Sequence, residues 1–196
     1  RAVHHALELG VTMIDVADED DAERLCGEAV RAMRLRDRVV VACRVPVVAP
    51  RPGVAQRDLL PERLPAAYVQ QRIEASLRTT RLDVLPLALL QLRPAWRASS
   101  AWPELAGTCT RLVREGKVLQ WGALLEELDE PKPSGRRDRE EEDERPPVAA
   151  VLAGEPFVAI SIPYSLCERA GEALIDVMKG KLAVLARRPL GGGALT

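Results

Sequence analysis

The chain has 196 residues, of which 47% are hydrophobic, 29% charged and 3% aromatic, and its formal net charge is −1. This composition excludes disorder of the chain as a whole, and no apolar run approaches the roughly 20 residues of a membrane span. The balance of 28 basic and 29 acidic residues argues against a nucleic-acid binder, which carries a basic excess. The length predicts a single domain over residues 1–196.

Helix and strand patterns alternate along the chain. In chain order we predict a helix (1–9), a strand (11–16), a helix (22–33), a strand (38–45), a proline-rich stretch (46–65), a helix (66–80), a strand (82–92), a helix (102–115), a strand (118–125), a strand (156–163), a helix (167–178) and a strand (182–186). In the second helix, Leu25, Ala29 and Met33 form the predicted buried stripe.

The six predicted strands are continuous apolar runs, which is typical of parallel sheets covered by helices. Both a doubly wound sheet and a (β/α)8 barrel fit this pattern.

Residues 126–145 differ from the rest, because they hold ten acidic and five basic residues and only one apolar residue, Leu128. This composition predicts a charged loop or insertion, either solvated or in contact with a partner.

The four cysteines Cys26, Cys43, Cys109 and Cys167 are far apart and form no C-x-x-C pair. Zinc spacing is absent, so we predict no metal site. The chain opens in a helical pattern with no hydrophobic leader. Together these features favour free thiols in a reducing compartment and a cytoplasmic location.

Several strings in collinear order resemble the aldo-keto reductase family. They are ALELGVTMIDVAD (6–18) with ERLCGEAV (23–30), RDRVVVACRV (36–45), IEASLRTTRLDVLPLALLQLRP (73–94), LVREGKVLQWGALL (112–125), PFVAISIPYSL (156–166) and VLARRPLGGGALT (184–196). The resemblance covers nearly the whole chain apart from the charged segment. It implies a (β/α)8 TIM-barrel-derived α/β fold with about six of the eight β/α units, that is, a partial or open barrel.

The resemblance also implies carbonyl reduction with NADP(H), in which an Asp, a Tyr, a Lys and a His act at the ends of the strands. Asp15 matches the family's Asp. Asp20 stands at the Tyr position, Arg44 at the Lys position and Gln91 at the His position. Of the four catalytic positions, only Asp15 keeps the family's residue.

These replacements leave two interpretations open. In the structural one, Arg44 neutralises Asp15 and Asp20 in a small ion cluster. In the functional one, Asp20 has a raised pKa, as paired carboxylates can have, and donates the proton. Gln91 is either a core or rim amide, or a hydrogen-bonding partner of a ligand oxygen.

The implied cofactor positions are also altered. The family's Ser-Asn pair after Gly122 is replaced by apolar residues, and its sixth-strand Gln is Ser161. Arg187 stands where an aromatic residue stacks on the nicotinamide, and Arg188 follows it. The candidate cofactor-binding residues are therefore Ser161, Arg187, Arg188, Leu190, Gly191 and Gly192. The glycines either approach a pyrophosphate or simply form an inherited turn with positive φ.

We therefore expect a catalytically impaired aldo-keto-reductase-like protein that acts as a structural or regulatory subunit. The first strand and the last barrel units are expected to be missing, which leaves two open sheet edges. Either the sequence is part of a longer chain that supplies these units, or a protein partner or further copies of the chain cover the edges, or the fold has shrunk and rearranged. The alternatives are an active NADP-dependent oxidoreductase with altered chemistry, or a nucleotide- or anion-binding module. No nucleic-acid or membrane partner is expected.

Overall fold

The computed structural model describes residues 1–17, 21–49, 59–126 and 156–193. The helices are α1 (Ala2–Glu8), α2 (Ala22–Ala32), α3 (Leu60–Arg63), α4 (Ala66–Thr80), α5 (Trp102–Arg114) and α6 (Glu172–Met178). The strands are β1 (Met13–Val16), β2 (Val40–Val45), β3 (Leu85–Gln91), β4 (Val118–Leu124), β5 (Phe157–Pro163) and β6 (Ala183–Arg187). Short 3-10 turns span Pro94–Ala98 and Gly191–Gly193.

The six strands form one parallel sheet in which the spatial order equals the chain order, from β1 to β6. A doubly wound sheet reverses its strand order at a switch point, so the sequential order excludes that alternative. The architecture is a partial (β/α)8 barrel with six parallel strands and helices, as predicted. Among the described strands, β1 and β6 each pair on one side only.

The six strands lie where the sequence patterns place them, but two helix predictions need correction. The helix predicted over 167–178 begins only at Glu172, because the Ser165 Oγ accepts the backbone N–H groups of Cys167 and Glu168 and holds a turn there. The predicted stripe of α2 is wrong at Leu25, whose surface is 50% exposed. Cys26 and Val30 are among the residues that face the core instead.

The larger apolar core lies between the sheet and the helices. It includes Val41 and Cys43 of β2, Leu90 of β3, Ile73 of α4 and Leu112 of α5, all fully buried. A second, smaller cluster lies on the opposite, inner face of the sheet. This inner cluster consists of Ala42, Leu87, Leu89 and Leu124, with Met13 and Leu185 partly buried against it.

Helices α2 and α4 pack closely around a buried polar contact. The Ser76 hydroxyl donates to the Glu23 carboxylate over 2.6 Å, and an Arg72 nitrogen lies 3.5 Å from the same oxygen. Gly27 makes this approach possible, since a Cβ at that position would stand 2.0 Å from the Thr80 carbonyl oxygen. The spacing of the two helices therefore depends on the absence of a side chain at residue 27.

All four cysteines are free thiols, and three of them are buried. Burial raises the pKa of Cys26 to about 11 and the pKa of Cys109 to about 12. Cys167 is exposed. No described helix is long and apolar enough to cross a membrane.

Replacing Gly27 with alanine should destabilise the protein by about 2 kcal/mol, because the new methyl group overlaps the Thr80 backbone. Gly107→Ala is a matched control, since Gly107 also lies inside a helix and a Cβ there meets nothing within 4 Å. It should be neutral or stabilising by about 0.5–1 kcal/mol. Urea unfolding of both variants measures the difference, and equal effects would contradict the packing role of Gly27.

Candidate functional site

The inner face of the sheet changes from apolar to polar towards its carboxyl-terminal rim. Side chains alternate along a strand, so the residues two positions beyond the inner cluster face the same side. They are Asp15 on β1, Arg44 on β2, Gln91 on β3 and Arg187 on β6. The fold thus gathers four of the predicted site residues at one rim, where the active sites of such barrels lie.

An open cavity of about 450 Å³ lies at this rim and is called here the rim cavity. Its lining residues are Asp15, Arg44, Glu126, Ala186, Arg187, Arg188 and Pro189. Three guanidinium groups and two carboxylates give this lining a formal excess of one positive charge (3 − 2). The lining therefore favours an anion over a cation.

Asp15 and Arg44 form a bidentate ion pair at one side of the rim cavity. The Arg44 Nε donates to one carboxylate oxygen over 2.8 Å and Nη2 donates to the other over 2.6 Å. The side chains are only 27% and 29% exposed. Both carboxylate oxygens therefore accept from the same guanidinium, the strongest geometry open to this pair. Asp20, the third member of the predicted ion cluster, lies outside the described residues.

Gln91 lines a smaller cavity, which shares Glu126 with the rim cavity. Its Oε1 accepts the Val47 backbone N–H over 3.0 Å, which fixes the amide in one orientation. The smaller cavity, called here the side cavity, has about 200 Å³. It is lined by Val47, Arg63, Gln91, Leu92, Arg93, Pro94, Trp96 and Glu126. Gln91 is thus a rim amide whose oxygen is bound to the backbone.

Arg187 is the most deeply buried charged group of the rim cavity, with 7% of its surface exposed. Its Nη2 donates to the Leu125 carbonyl over 2.7 Å. Its Nη1 lies 3.4 and 3.3 Å from the two carboxylate oxygens of Glu126. Glu126 also lines the side cavity, so this carboxylate stands between the two cavities.

The remaining predicted cofactor residues lie apart from the described cavities, except Arg188 at the mouth of the rim cavity. Leu190 is 55% exposed, and Gly191 and Gly192 have φ angles of 62° and 66°. A Cβ at Gly192 would meet nothing within 4 Å. In the described structure this glycine is therefore explained by its backbone conformation and not by a close approach.

The described residues do not fit the nicotinamide end of NADP(H) in the manner that the resemblance implies. Ala123 and Leu124 occupy the places of the polar Ser-Asn pair and are fully buried. The Ser161 Oγ is buried with no hydrogen-bond partner among the described atoms, and Ser161 lines neither cavity. At the stacking position, the Arg187 guanidinium is already bound to the Leu125 carbonyl.

Sequence reasoning missed Glu126, Arg63 and Arg93. Glu126 was assigned to the charged loop, of which residues 127–145 lie outside the described part of the chain. One signal was available, because Glu126 follows strand β4 almost directly and so reaches the rim. Arg63 lies on a short helix inside the proline-rich stretch and carries no motif.

The parallel sheet and the cavity at its carboxyl-terminal rim are those of a protein derived from the (β/α)8 barrel. A sequence profile described as the Aldo/keto reductase family matches residues 1–196, and the chain belongs to this family. Methylglyoxal reductase YeaE of Escherichia coli is 30% identical over 124 residues, which are 62% of this chain and 37% of that protein.

Solved structures agree with this assignment. An aldo-keto reductase of Bacillus halodurans in its holo form has a TM-score of 0.71 at 20% identity, covering 99% of this chain and 58% of its own. An aldo/keto reductase from Klebsiella pneumoniae, in complex with NADP and acetate, has a TM-score of 0.65 at 25% identity, covering 99% and 59%. The chain thus spans under two thirds of the length of these relatives.

The Asp15–Arg44 pair should contribute about 1 kcal/mol of coupling to the free energy of unfolding, because it is two-pronged and more than two-thirds buried. A double-mutant cycle of Asp15→Asn and Arg44→Gln measures this value. The Arg36–Asp83 pair is the control, since its side chains are 45% and 84% exposed. Its coupling should be close to zero, and additive effects at Asp15 and Arg44 would contradict the proposed pairing strength.

Proposed function

We propose that the protein containing this chain is impaired in ordinary carbonyl reduction and acts as a structural or regulatory subunit. The observation that carries this proposal is the closed Asp15–Arg44 ion pair. Arg44 stands at the position where the resemblance implies a lysine that tunes the proton donor. An arginine in this place keeps its proton throughout the physiological range and so cannot tune one.

Carbonyl reduction delivers a hydride to carbon and a proton to oxygen, so it needs an acid near the reacting oxygen. Among the described residues, no tyrosine, lysine or histidine lines either cavity. Tyr68 packs in the outer layer on α4. The Tyr164 hydroxyl donates to Glu172, and this contact raises the pKa of Tyr164. Neither tyrosine is placed to supply the proton at the rim.

The structural role is supported by the two edges of the sheet. Strands β1 and β6 lie at opposite edges, and each carries a partly buried inner residue, Met13 and Leu185 respectively. Unpaired edge strands tend to pair with other strands. A second copy of the chain offers a β6 edge to β1 and a β1 edge to β6. We therefore propose self-association as the form of assembly, in a cytoplasmic location that suits four free thiols.

The alternative is an active NADP-dependent oxidoreductase with altered catalytic residues. Family membership and the retained Asp15 favour it. In that case Gln91, whose oxygen is bound to Val47, would direct its amide N–H groups at the substrate oxygen. The proton would then come from a group outside the described residues, for which Asp20 is the candidate.

The purified protein should oxidise NADPH in the presence of methylglyoxal no faster than buffer, because the proton donor set is missing. The measurement is the loss of NADPH absorbance. The triple variant Asp20→Tyr, Arg44→Lys and Gln91→His restores only the proton-transfer identities and should still lack turnover, because the nicotinamide contacts stay altered at Ala123, Leu124 and Arg187. Saturable wild-type turnover that disappears in Arg44→Gln would instead establish the alternative.

Self-association predicts a mass of at least twice 21.5 kDa in light scattering. Met13→Lys places a charge on the inner side of edge strand β1 and should reduce the mass to that of one chain. Val113→Lys is the control, because Val113 is 40% exposed on α5, which packs on the central strand β4. A single-chain mass of the wild type at all concentrations would contradict self-association.

A further inference from the structure

We propose that Arg187 is the anchor of a binding site for the oxyanion of a small organic acid, and that Glu126 is an internal carboxylate that the ligand displaces. The inference goes beyond the proposed function and does not depend on whether the protein reduces carbonyls. It rests on the surroundings of one buried guanidinium, on the exposure of its counter-ion and on the arrangement of the two cavities.

The first observation is that Arg187 is a buried cation with incomplete hydrogen bonding. A guanidinium has five N–H donors in a fixed fork. One strong bond goes to the Leu125 carbonyl over 2.7 Å. The Nε is buried and has no partner among the described atoms. A buried charge is stable only when it is paired and hydrogen-bonded, so Arg187 has capacity for a further acceptor.

The second observation is that Glu126 makes only weak hydrogen bonds to the Arg187 guanidinium. Both of its oxygens approach a single nitrogen, Nη1, at 3.4 and 3.3 Å. Charge-assisted bonds between nitrogen and oxygen are usually about 2.7–2.9 Å long. The Asp15–Arg44 pair nearby has such distances and uses two nitrogens. The Glu126–Arg187 contact is therefore the weaker of the two ion pairs in the rim cavity.

The third observation is that the Glu126 side chain can move away from Arg187 into the solvent without being left in a buried, unpaired state. Its side chain is 39% exposed, whereas that of Arg187 is 7% exposed. A carboxylate whose side chain rotates towards the solvent is hydrated at small energetic cost. The guanidinium, in contrast, stays buried and needs a new hydrogen-bonding partner. An oxyanion from solution can take that place. Asp15 does not compete for Arg187, because both of its oxygens are held by Arg44.

The cavities indicate the size of the ligand. Glu126 lines both of them, and we infer that its departure would connect the rim cavity to the side cavity of about 200 Å³. The side cavity alone, which would hold the body of the ligand, is below the roughly 300–1,000 Å³ of sites for drug-sized ligands. Gln91 and Trp96 in its wall offer an amide and an aromatic surface. A short organic acid, with its oxyanion on Arg187 and its body in the side cavity, suits this arrangement.

The same oxyanion chemistry has two sources, a free small acid and a phosphate of a nucleotide. Calorimetric titrations with pyruvate, inorganic phosphate and adenosine 2′,5′-bisphosphate separate them. We expect pyruvate to bind the wild-type protein and to bind Glu126→Gln about fivefold more tightly, because the competing charge is removed. Arg187→Gln should abolish binding. Arg187→Lys, which keeps the charge and loses the fork, should weaken it about tenfold or more.

Glu115→Gln is the matched control. Glu115 is 34% exposed and is also paired with an arginine, Arg111, but it lies at the end of α5 away from the rim. This variant should bind pyruvate as the wild type does. The Glu126→Gln variant is decisive on its own, since a gain of affinity cannot arise from misfolding.

The inference is overturned if Glu126→Gln binds pyruvate no more tightly than the wild type, or if Arg187→Gln retains binding. Response to the adenosine bisphosphate alone would overturn the assignment to a small acid, whereas phosphate binding with the same dependence on Arg187 and Glu126 supports the oxyanion site. None of these titrations measures NADPH oxidation or mass. The oxyanion site can therefore be disproved while the proposed function stands, and the proposed function can be disproved while the oxyanion site stands.

Discussion

The in-order parallel pairing of the strands is the constraint on which the site depends. Each strand enters the sheet beside its predecessor and in the same direction, so all carboxyl ends reach one rim. Asp15, Arg44, Gln91 and Arg187 are far apart in the sequence, yet each lies two positions beyond an inner-cluster residue of its own strand, so all four face the inner side. No local contact brings them together, because the sheet alone sets their positions.

The chemistry of the rim follows from how its charges divide. Arg44 and Asp15 satisfy each other, whereas Arg187 remains partly satisfied beside a half-exposed Glu126. In the first pair, the charges of Asp15 and Arg44 are bound to each other. In the second pair, the Arg187 guanidinium has hydrogen-bonding capacity left for a ligand. This division of charges is the basis of the two proposals above, that the rim binds an anion and that it does not supply a proton.

The strands could be predicted from sequence because their apolar runs are long and bounded by turn residues. The site could be predicted in part, since Asp15, Arg44 and Gln91 end recognisable strands. Glu126 was missed because it begins a strongly acidic segment, although its place directly after β4 was a usable signal. The prediction for Leu25 was wrong for a different reason: apolar periodicity did not identify the buried face of α2, which includes Cys26 and Gly27, where α4 approaches closely.

The open edges of β1 and β6 have a consequence for electrostatics as well as for assembly. The ion pair beside β1 is now in contact with solvent, at a little over a quarter of its surface. Any strand that covers this edge would lower the local dielectric constant around Asp15 and Arg44 and strengthen their attraction, while also removing hydration from both groups. Association at this edge would therefore be thermodynamically linked to the strength of the Asp15–Arg44 ion pair, and ionic strength would act on both at once.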